Sequence, residues 1–219
     1  MNIFPLYNSI RIALISSFFT FFLGIFFAYQ IRKLHPTVKG ILDVILTLPL
    51  VLPPTVVGFF LLKGLGPNSS VGQFFEKMNI SLIMRWYSAV FATIVVTFPL
   101  MYRTARGAFE SFDMNLKYAG QTLGRSNTWI FWKIVLPNCK KEILAGLILS
   151  FARALGEYGA TSMVSGYIPN RTATISTTVY QLWRIGQDDL AYKWVGVNML
   201  ISFIVLLAIN LLENKDKKE

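Results

Sequence analysis

Long stretches without a charged side chain divide the sequence and restrict the folds open to it. An α-helix needs about 20 apolar residues to cross roughly 30 Å of hydrocarbon. Four stretches come close to this length: residues 12–31, 44–62, 86–102 and 194–212. A fifth, residues 143–164, is as long and as apolar, although Arg153 and Glu157 lie in its middle. The sequence therefore predicts an all-α, polytopic membrane protein of about five transmembrane helices, forming one domain over residues 1–219.

The composition supports this class. Hydrophobic residues make up 54% of the chain and charged residues only 15%, against roughly 25% charged residues in soluble domains. The formal charge is +10, but the basic residues lie between the apolar stretches and form no arginine-rich stripe with interleaved aromatics. Membrane topology therefore explains the charge better than binding to nucleic acid does, and we expect no nucleic-acid partner.

The basic residues also predict the orientation, because Lys and Arg concentrate in cytoplasmic loops. With the N-terminus outside, the inner segments hold thirteen Lys and Arg and the outer segments seven. We therefore expect a multi-pass protein of a bacterial cell membrane, surrounded by lipid, with its N-terminus outside and its C-terminus in the cytoplasm. The first apolar stretch is longer than the roughly 7 to 15 residues of a cleaved signal, so it should remain as a helix.

Three prolines lie close together in the second span. Pro49, Pro53 and Pro54 each remove a backbone donor and clash with the preceding turn. The helix should break here, and in lipid a break survives only where the freed carbonyls face protein or a water-filled cavity. We interpret this segment, with Thr55 and Gly58 after it, as a wall or gate of a translocation path. The alternative is a kink that only improves packing.

The 143–164 span carries an opposite-charge pair. Arg153 and Glu157 are four residues apart and would share one face of a helix. An isolated charge in a membrane costs a few kcal/mol or more, so the two should neutralise each other. Such a pair either contacts a substrate or fixes the register of the helix. The small residue Gly159 nearby would let another helix approach closely, and we group Arg153, Glu157 and Gly159 with the gate.

The most specific pattern lies in the long inner segment. Tyr118, Ala119 and Gly120 are followed by Gly124, and nine residues later by the run from Ile134 to Pro137, which includes Leu136. This spacing resembles the EAA signature of bacterial ABC importer permeases. The departures are Tyr118 in place of Glu and Gly120 in place of the second Ala.

Small residues give this pattern a mechanical meaning. A short helix with Ala119, Gly120 and Gly124 would present a low surface to a partner, with Leu123 as an anchor. The resemblance implies that the segment at about 115–137 docks into a cytoplasmic ATPase subunit and couples ATP-driven closure to the spans. The alternative is an ordinary surface helix that ends at a proline.

The chain itself shows no nucleotide or metal site in its sequence. The run from Gly120 to Ser126 has three residues between its two glycines and an arginine after the second. A P-loop has four residues between the glycines and a lysine after the second, and the whole motif follows a β-strand. The single Cys139 and the single His35 offer no metal cluster. We expect a transport subunit that is not an enzyme and binds no cofactor, with ATP used by a partner subunit.

Further segments resemble the molybdate ABC transporter permease family, over about residues 8–212. They are residues 48–58, 98–101, 151–161 and 170–172, with Tyr180. The resemblance implies a homodimer of permease subunits, two ATP-binding cassette subunits and an extracytoplasmic molybdate-binding protein. It also implies transport by alternating access.

The sequence is also compatible with other kinds of transporter. Tungstate and sulfate permeases share much of the same pattern, and an ABC importer of amino acids would share the inner motif. A secondary transporter or channel could also have a broken helix, but it would not need the inner spacing. An integral membrane enzyme would need clustered catalytic residues, which this sequence does not show.

Overall fold

The structure is a computed structural model that describes residues 2–215, with side chains described up to residue 207. All regular structure in this part of the chain is helical. A π-helical turn, Phe131–Val135, separates α7 from α8. Lys217 and Lys218, which were counted for the orientation, lie outside the described residues. The helices are α1 Phe4–Ile31, α2 Pro36–Val51, α3 Pro54–Leu65, α4 Ser70–Glu76, α5 Trp86–Ser111, α6 Met114–Thr122, α7 Asn127–Ile130, α8 Leu136–Asn138, α9 Lys140–Leu155, α10 Gly159–Val164, α11 Ile175–Arg184 and α12 Asp188–Lys215.

The predicted spans correspond to helices, with two interruptions. Among residues 2–215, three helices are long and apolar enough to cross a membrane: α1, α5, and α12 over residues 188–207. The pair α2 and α3 passes the same test together but is bent by 109° at its break. The predicted break in the second span is therefore confirmed.

The position of this break follows from the prolines. Leu52 and Pro53 each precede a proline, which disfavours the α conformation, and both are extended, with ψ of 141° and 134°. Pro54 then starts α3, where a missing N–H costs nothing. Pro49 lies inside α2 and does not end it.

The 143–164 span is also interrupted, and the expectation of one continuous helix is not met. The first part, α9, ends at Leu155, and α10 begins only at Gly159. The Glu157 carboxylate accepts a hydrogen bond from the Ala160 N–H at 2.8 Å. This bond satisfies one of the first-turn donors of α10 that have no partner inside the helix, so the side chain replaces the continuing helical ladder.

Contacts between helices fix their directions. Helices α1 and α5 run parallel, because Thr20 contacts Thr97 at 3.2 Å and Arg32 donates to the Phe109 carbonyl at 2.7 Å, with the same sequence offset. Helix α9 runs antiparallel to α5. The thiol of Cys139, which precedes α9, donates to the Ala108 carbonyl, whereas Gly146 lies against Thr104.

The remaining helices complete an alternating order. Trp194 near the start of α12 lines the same pocket as Asn2, and Ile201 packs near Ala13, so α12 runs parallel to α1. The pair α2 and α3 returns from the end of α1 towards its start. Five helical segments, namely α1, α2 with α3, α5, α9 with α10, and α12, therefore alternate in direction, although α9 with α10 is not among those long and apolar enough to cross a membrane. The end where α1 begins is called the N-terminal end below, and the opposite end the α6–α7 end.

The interior of this bundle holds many small and hydroxyl side chains beside a few large ones, among them Met101, Tyr102 and Phe109. Ala13, Ala28, Ala89, Ala92 and Ala105 are fully buried, and so are several hydroxyl side chains: Ser16, Thr20, Thr97 and Ser150. Many other large apolar side chains point outward, among them Phe18, Phe22, Phe26, Met199 and Phe203. Small and hydroxyl residues at helix contacts are typical of membrane bundles, which here leave their large apolar side chains to lipid or to partner subunits.

Candidate translocation and coupling sites

The two interrupted passes meet at two glycines. A Cβ on Gly58 would lie 2.8 Å from the Ala160 Cα, and a Cβ on Gly159 would lie 2.8 Å from the Pro54 Cβ. No side chain larger than hydrogen fits at either position without a shift of backbone. The structure thus brings together Pro54, Gly58 and Gly159, which were predicted as gate residues from two distant parts of the sequence.

The other predicted gate residues border this contact. Thr55 and Pro53 are exposed, and Pro49 is half-buried one turn before the break. The Thr55 N–H lies 3.0 Å from the position of a Cβ on Gly159. The break therefore lies on the surface of the single chain, where the apolar side chain of Val51 is 82% exposed.

The predicted charge pair forms, although Glu157 is not in a helix. Arg153 Nη1 lies 2.7 Å from Glu157 Oε2. The pair is asymmetric, because the Glu157 side chain is 1% exposed and the Arg153 side chain 38%. A guanidinium has five N–H donors, so Arg153, whose side chain is partly exposed, has donors beyond this contact.

A small polar cavity lies behind the carboxylate. It is about 10 Å³ in volume. Its lining includes the apolar Ile12, Ala154 and Leu155 and five oxygen-bearing side chains: Ser9, Thr93, Glu157, Thr161 and Thr174. This is room for about one water molecule. The buried Thr93 Oγ1 has no hydrogen-bond partner among the described residues, and a water at this place would satisfy it.

The predicted coupling helix is α6. It begins at Asp113, whose side chain accepts from the Asn115 N–H at 2.9 Å, and it ends in a left-handed turn at Gly124, with φ of 71°. The Gly124 N–H donates to the Gln121 carbonyl and the Arg125 N–H to the Gly120 carbonyl, at 2.9 and 3.1 Å. These two bonds define a Schellman motif, in which glycine is favoured because its φ is positive.

The motif residues differ in the direction they face. Gly120 is buried, and a Cβ on it would lie 3.1 Å from side-chain atoms of Ile130 and of Ile134. The sequence reading placed Gly120 on the partner-facing surface, and this is wrong: its small size lets α6 pack on the segment behind it. Ala119 is exposed, as are Tyr118 and Leu123, at 55% and 78%.

The last part of the motif supports α6 from behind. Ile134 is half-buried against Gly120, and Leu136 packs against the main core cluster. Pro137 lacks the N–H that would continue the helical ladder, and the wide π turn directly precedes α8, where it lies. The sequence pattern found these residues but not that Ile134 packs behind Gly120.

The α6–α7 end of the bundle carries an exposed patch. All residues from 121 to 129 are exposed, and large apolar side chains stand on the surface here: Leu116, Tyr118, Leu123, Trp129 and Trp132. The patch has a basic border. Burial, together with the nearby cations Lys117 and Arg32, lowers the pKa of the Lys33 ammonium. A surface of this kind, called the α6–α7 patch below, suits a partner protein with acidic groups and an apolar pocket.

One cluster of charged residues was missed by the sequence reading. It joins α2 to α5 and consists of Lys39, Asp43, Tyr102, Arg106 and Glu110, called the clasp below. Each helix shows one charge pair four residues apart, 39 with 43 and 106 with 110, but neither pair indicates the contact between the helices. Lys39 and Arg106 were instead counted only towards the orientation.

Comparison with known proteins gives a consistent result. The family model described as "Binding-protein-dependent transport system inner membrane component" matches residues 20–213. The "Putative molybdenum transport system permease protein YvgM" of Bacillus subtilis is 38% identical over 206 residues, 94% of this chain and 91% of that protein. The "Molybdenum transport system permease protein ModB" of Escherichia coli is 36% identical over 91% of this chain and 88% of that protein. The "Sulfate transport system permease protein CysW" of Synechococcus elongatus is 31% identical over 90% of this chain and 68% of that protein.

Solved structures share the fold. A bacterial ABC transporter for import of the acidic polysaccharide alginate matches with a TM-score of 0.78 and 19% identity, over 97% of this chain and 79% of that chain. The MetNI methionine ABC transporter matches with a TM-score of 0.74 and 13% identity, over 96% of this chain and 94% of that chain. At these identities the likeness concerns the arrangement of helices, and it is that of ABC importer permeases.

Proposed function

Because this chain belongs to the family of binding-protein-dependent transport system inner membrane components and is a membrane-spanning permease of an ABC importer, we propose that its cargo is molybdate. The observation that carries the proposal is the similarity, above 35% over nine-tenths of the chain, to two permeases named for molybdenum transport. The relative named for sulfate transport is less similar.

The energy for transport comes, in this proposal, from a separate ATP-binding cassette subunit. The α6–α7 patch is the docking surface for that subunit, since it is exposed, apolar and basic at its border. Two copies of the chain and two ATP-binding subunits form the assembly, and an extracytoplasmic binding protein delivers the oxyanion. The chain itself uses no cofactor and catalyses no reaction.

The transport path runs along the break between α2 and α3. We place Pro49, Pro53, Pro54 and Thr55 on its wall, and the Gly58 and Gly159 contact behind it. ATP binding to the partner subunits draws the coupling segments of the two copies together and opens the path to the outside. ATP hydrolysis returns the path to its inward-facing state, so that access alternates.

Arg153 supplies positive charge near this path. Its guanidinium is held by the buried Glu157, yet part of it stays accessible. A tetrahedral dianion passing nearby would gain charge-assisted hydrogen bonds from the free donors. The buried carboxylate at the same time keeps Arg153 in place, which limits how tightly the anion is held and lets it leave.

The test is uptake by the reconstituted assembly. Proteoliposomes containing the permease and its ATP-binding subunit, with the binding protein outside, should accumulate labelled molybdate only with ATP inside. Tungstate and sulfate are added in turn as competitors. Preferential uptake of sulfate would support the second candidate, a sulfate importer, for which the 31% identical relative is the observation in favour. Uptake that persists after ATP depletion would overturn an ATP-driven mechanism.

A further inference from the structure

Helix α2 is held to the rest of the chain on one side only. None of its residues is buried, and its main contact is with α5. Two half-buried apolar side chains, Leu42 and Leu46, pack against the core cluster to which α5 contributes. The opposite face is open, and Val44 and Val51 are 64% and 82% exposed. Two leucines on one face resist separation of the helices but do little to prevent sliding or rotation.

The clasp supplies the directional contacts. Lys39 Nζ lies 2.6 Å from Glu110 Oε1, and Arg106 Nε lies 3.0 Å from the same oxygen. Arg106 also pairs with Asp43, and the Tyr102 hydroxyl donates to the Asp43 carboxylate. Two cations face two carboxylates, so the cluster is neutral as a whole. The Arg106 and Asp43 side chains are only 25% and 15% exposed, where ion pairs are screened less than at an open surface.

The clasp lies on a continuous route from the α6–α7 patch to the break. Helix α5 ends at Ser111 and α6 begins at Met114, with the intervening Phe112 buried at 8% exposure. A displacement of α6 therefore acts directly on the end of α5 that carries the clasp. From Asp43, α2 continues to Pro49 over roughly 9 Å of helix.

The far side of the break packs mainly against α10. Helix α3 is joined to α10 through the backbone contacts at Gly58 and Gly159. The halves of the broken pass thus have different main partners, α2 packing on α5 and α3 mainly on α10, although α10 in turn packs on α5 through the cluster that includes Ala92 and Val164. Leu52 and Pro53 are the two extended residues between the halves, so a change in the direction of α2 relative to α3 concentrates at their backbone dihedrals.

We propose that Asp43 and Arg106, supported by the rest of the clasp, are positioning residues that make α2 follow α5 during the transport cycle. Movement of α6 then reaches the break through α5 and α2 instead of being lost as sliding between the helices. This inference rests on the proposed function, because it assigns a mechanical role within ATP-driven import.

The first experiment separates coupling from stability. Asp43→Asn and Arg106→Gln are compared with the unmodified assembly in proteoliposomes, measuring oxyanion taken up per ATP hydrolysed. We expect this ratio to fall by roughly 2- to 30-fold while ATP hydrolysis continues. The double exchange Asp43→Arg with Arg106→Asp restores an opposite-charge pair and should recover part of the ratio. Arg103→Gln removes the same charge from an exposed position of α5 outside the clasp and should leave the ratio unchanged.

The second experiment fixes the two helices together. Cysteines at positions 43 and 106 are joined by a short bifunctional thiol reagent, and the linked assembly should keep its uptake per ATP if α2 and α5 move as one body. Loss of uptake on linking would overturn the proposal, as would an unchanged ratio in both single variants or an equal fall of uptake and ATP hydrolysis. If the unmodified assembly takes up no oxyanion, the proposed function fails instead.

Discussion

Two glycines of one motif have different tasks. Gly124 is required by its left-handed backbone, and a Cβ there would meet no atom within 4 Å. Gly120 is required by its neighbours, Ile130 and Ile134. Spacing in the sequence identified both positions, but it could not give the direction each residue faces, because that depends on how α6 packs against the segment after it.

The effect of substituting Gly124 should depend on how well the new residue tolerates a positive φ and not on its size alone. Gly124→Val forces a β-branched residue into a conformation that costs about 1 to 2 kcal/mol for L-residues, and it should disturb the end of α6. Gly124→Asn is the control, since Asn tolerates positive φ better. We expect oxyanion uptake per ATP to fall in the Val variant and to stay near normal in the Asn variant. Unchanged uptake with Val would contradict this.

Replacing each of two glycines on α3 by alanine should change the stability of the protein in opposite directions. Gly58→Ala places a methyl group against the backbone of α10, and overpacking of this kind costs about 1 to 3 kcal/mol. Gly64→Ala adds the same group on the same helix, where no atom lies within 4 Å, and should stabilise by up to about 1 kcal/mol. Thermal unfolding in detergent measures both. A similar loss of stability in the two variants would show that the close contact is not the cause.

At the scale of elements, the two interrupted passes differed in how far the sequence predicted them. The break before α3 follows from proline geometry, which is local and readable. The break before α10 depends on Glu157, which the sequence reading placed inside a continuous helix beside Arg153. Only the three-dimensional contact of its carboxylate with the Ala160 N–H reveals that the helix ends there.

The asymmetry of this pair predicts unequal effects. Arg153→Met leaves the buried Glu157 carboxylate without its partner and should cost about 2 to 3 kcal/mol, towards the low end for a broken buried pair because Arg153 is partly exposed. Glu157→Gln keeps an oxygen for the Ala160 N–H and frees only a half-exposed guanidinium, so it should cost about 1 kcal/mol. Stability in detergent is the measurement. The double variant Arg153→Met with Glu157→Gln should be more stable than Arg153→Met alone. If Glu157→Gln proved less stable than Arg153→Met, the assignment of Glu157 as the buried partner would be contradicted.

At the scale of the whole molecule, the sequence predicted where the long helical segments lie but not how they pack. Four uncharged stretches and a fifth with two charges predicted five transmembrane helices; by length and composition, three helices of the described residues, or four with the bent pair α2 and α3, could cross a membrane, and five spans stay a prediction. The clasp was not predicted because its four charges come from two helices, and no pattern within either helix shows that they meet. The side of the membrane that each end faces remains a prediction from the basic residues.

Labelling of single cysteines tests that orientation. Burial raises the pKa of the native Cys139 thiol to about 11, so at pH 7.5 less than about one thousandth is the reactive thiolate, and the unmodified protein should stay unlabelled until it is denatured. With this background, an impermeant maleimide added to intact cells should label Lys77→Cys, on the exposed end of α4. It should not label Leu123→Cys until the cells are opened. Labelling of Leu123→Cys from outside would reverse the orientation.

The small and hydroxyl-rich interior has a consequence for tolerance to mutation. In a water-soluble protein, large apolar side chains lie mostly in the interior, where an exchange of one for another disturbs the packing. Here the outward positions such as Phe18 or Phe203 should accept almost any apolar residue, since lipid adapts to their shape. An added methyl group among Ala13, Thr20 and Thr97 has no such freedom, so inherited variation in this chain should be limited most strongly where its side chains are smallest.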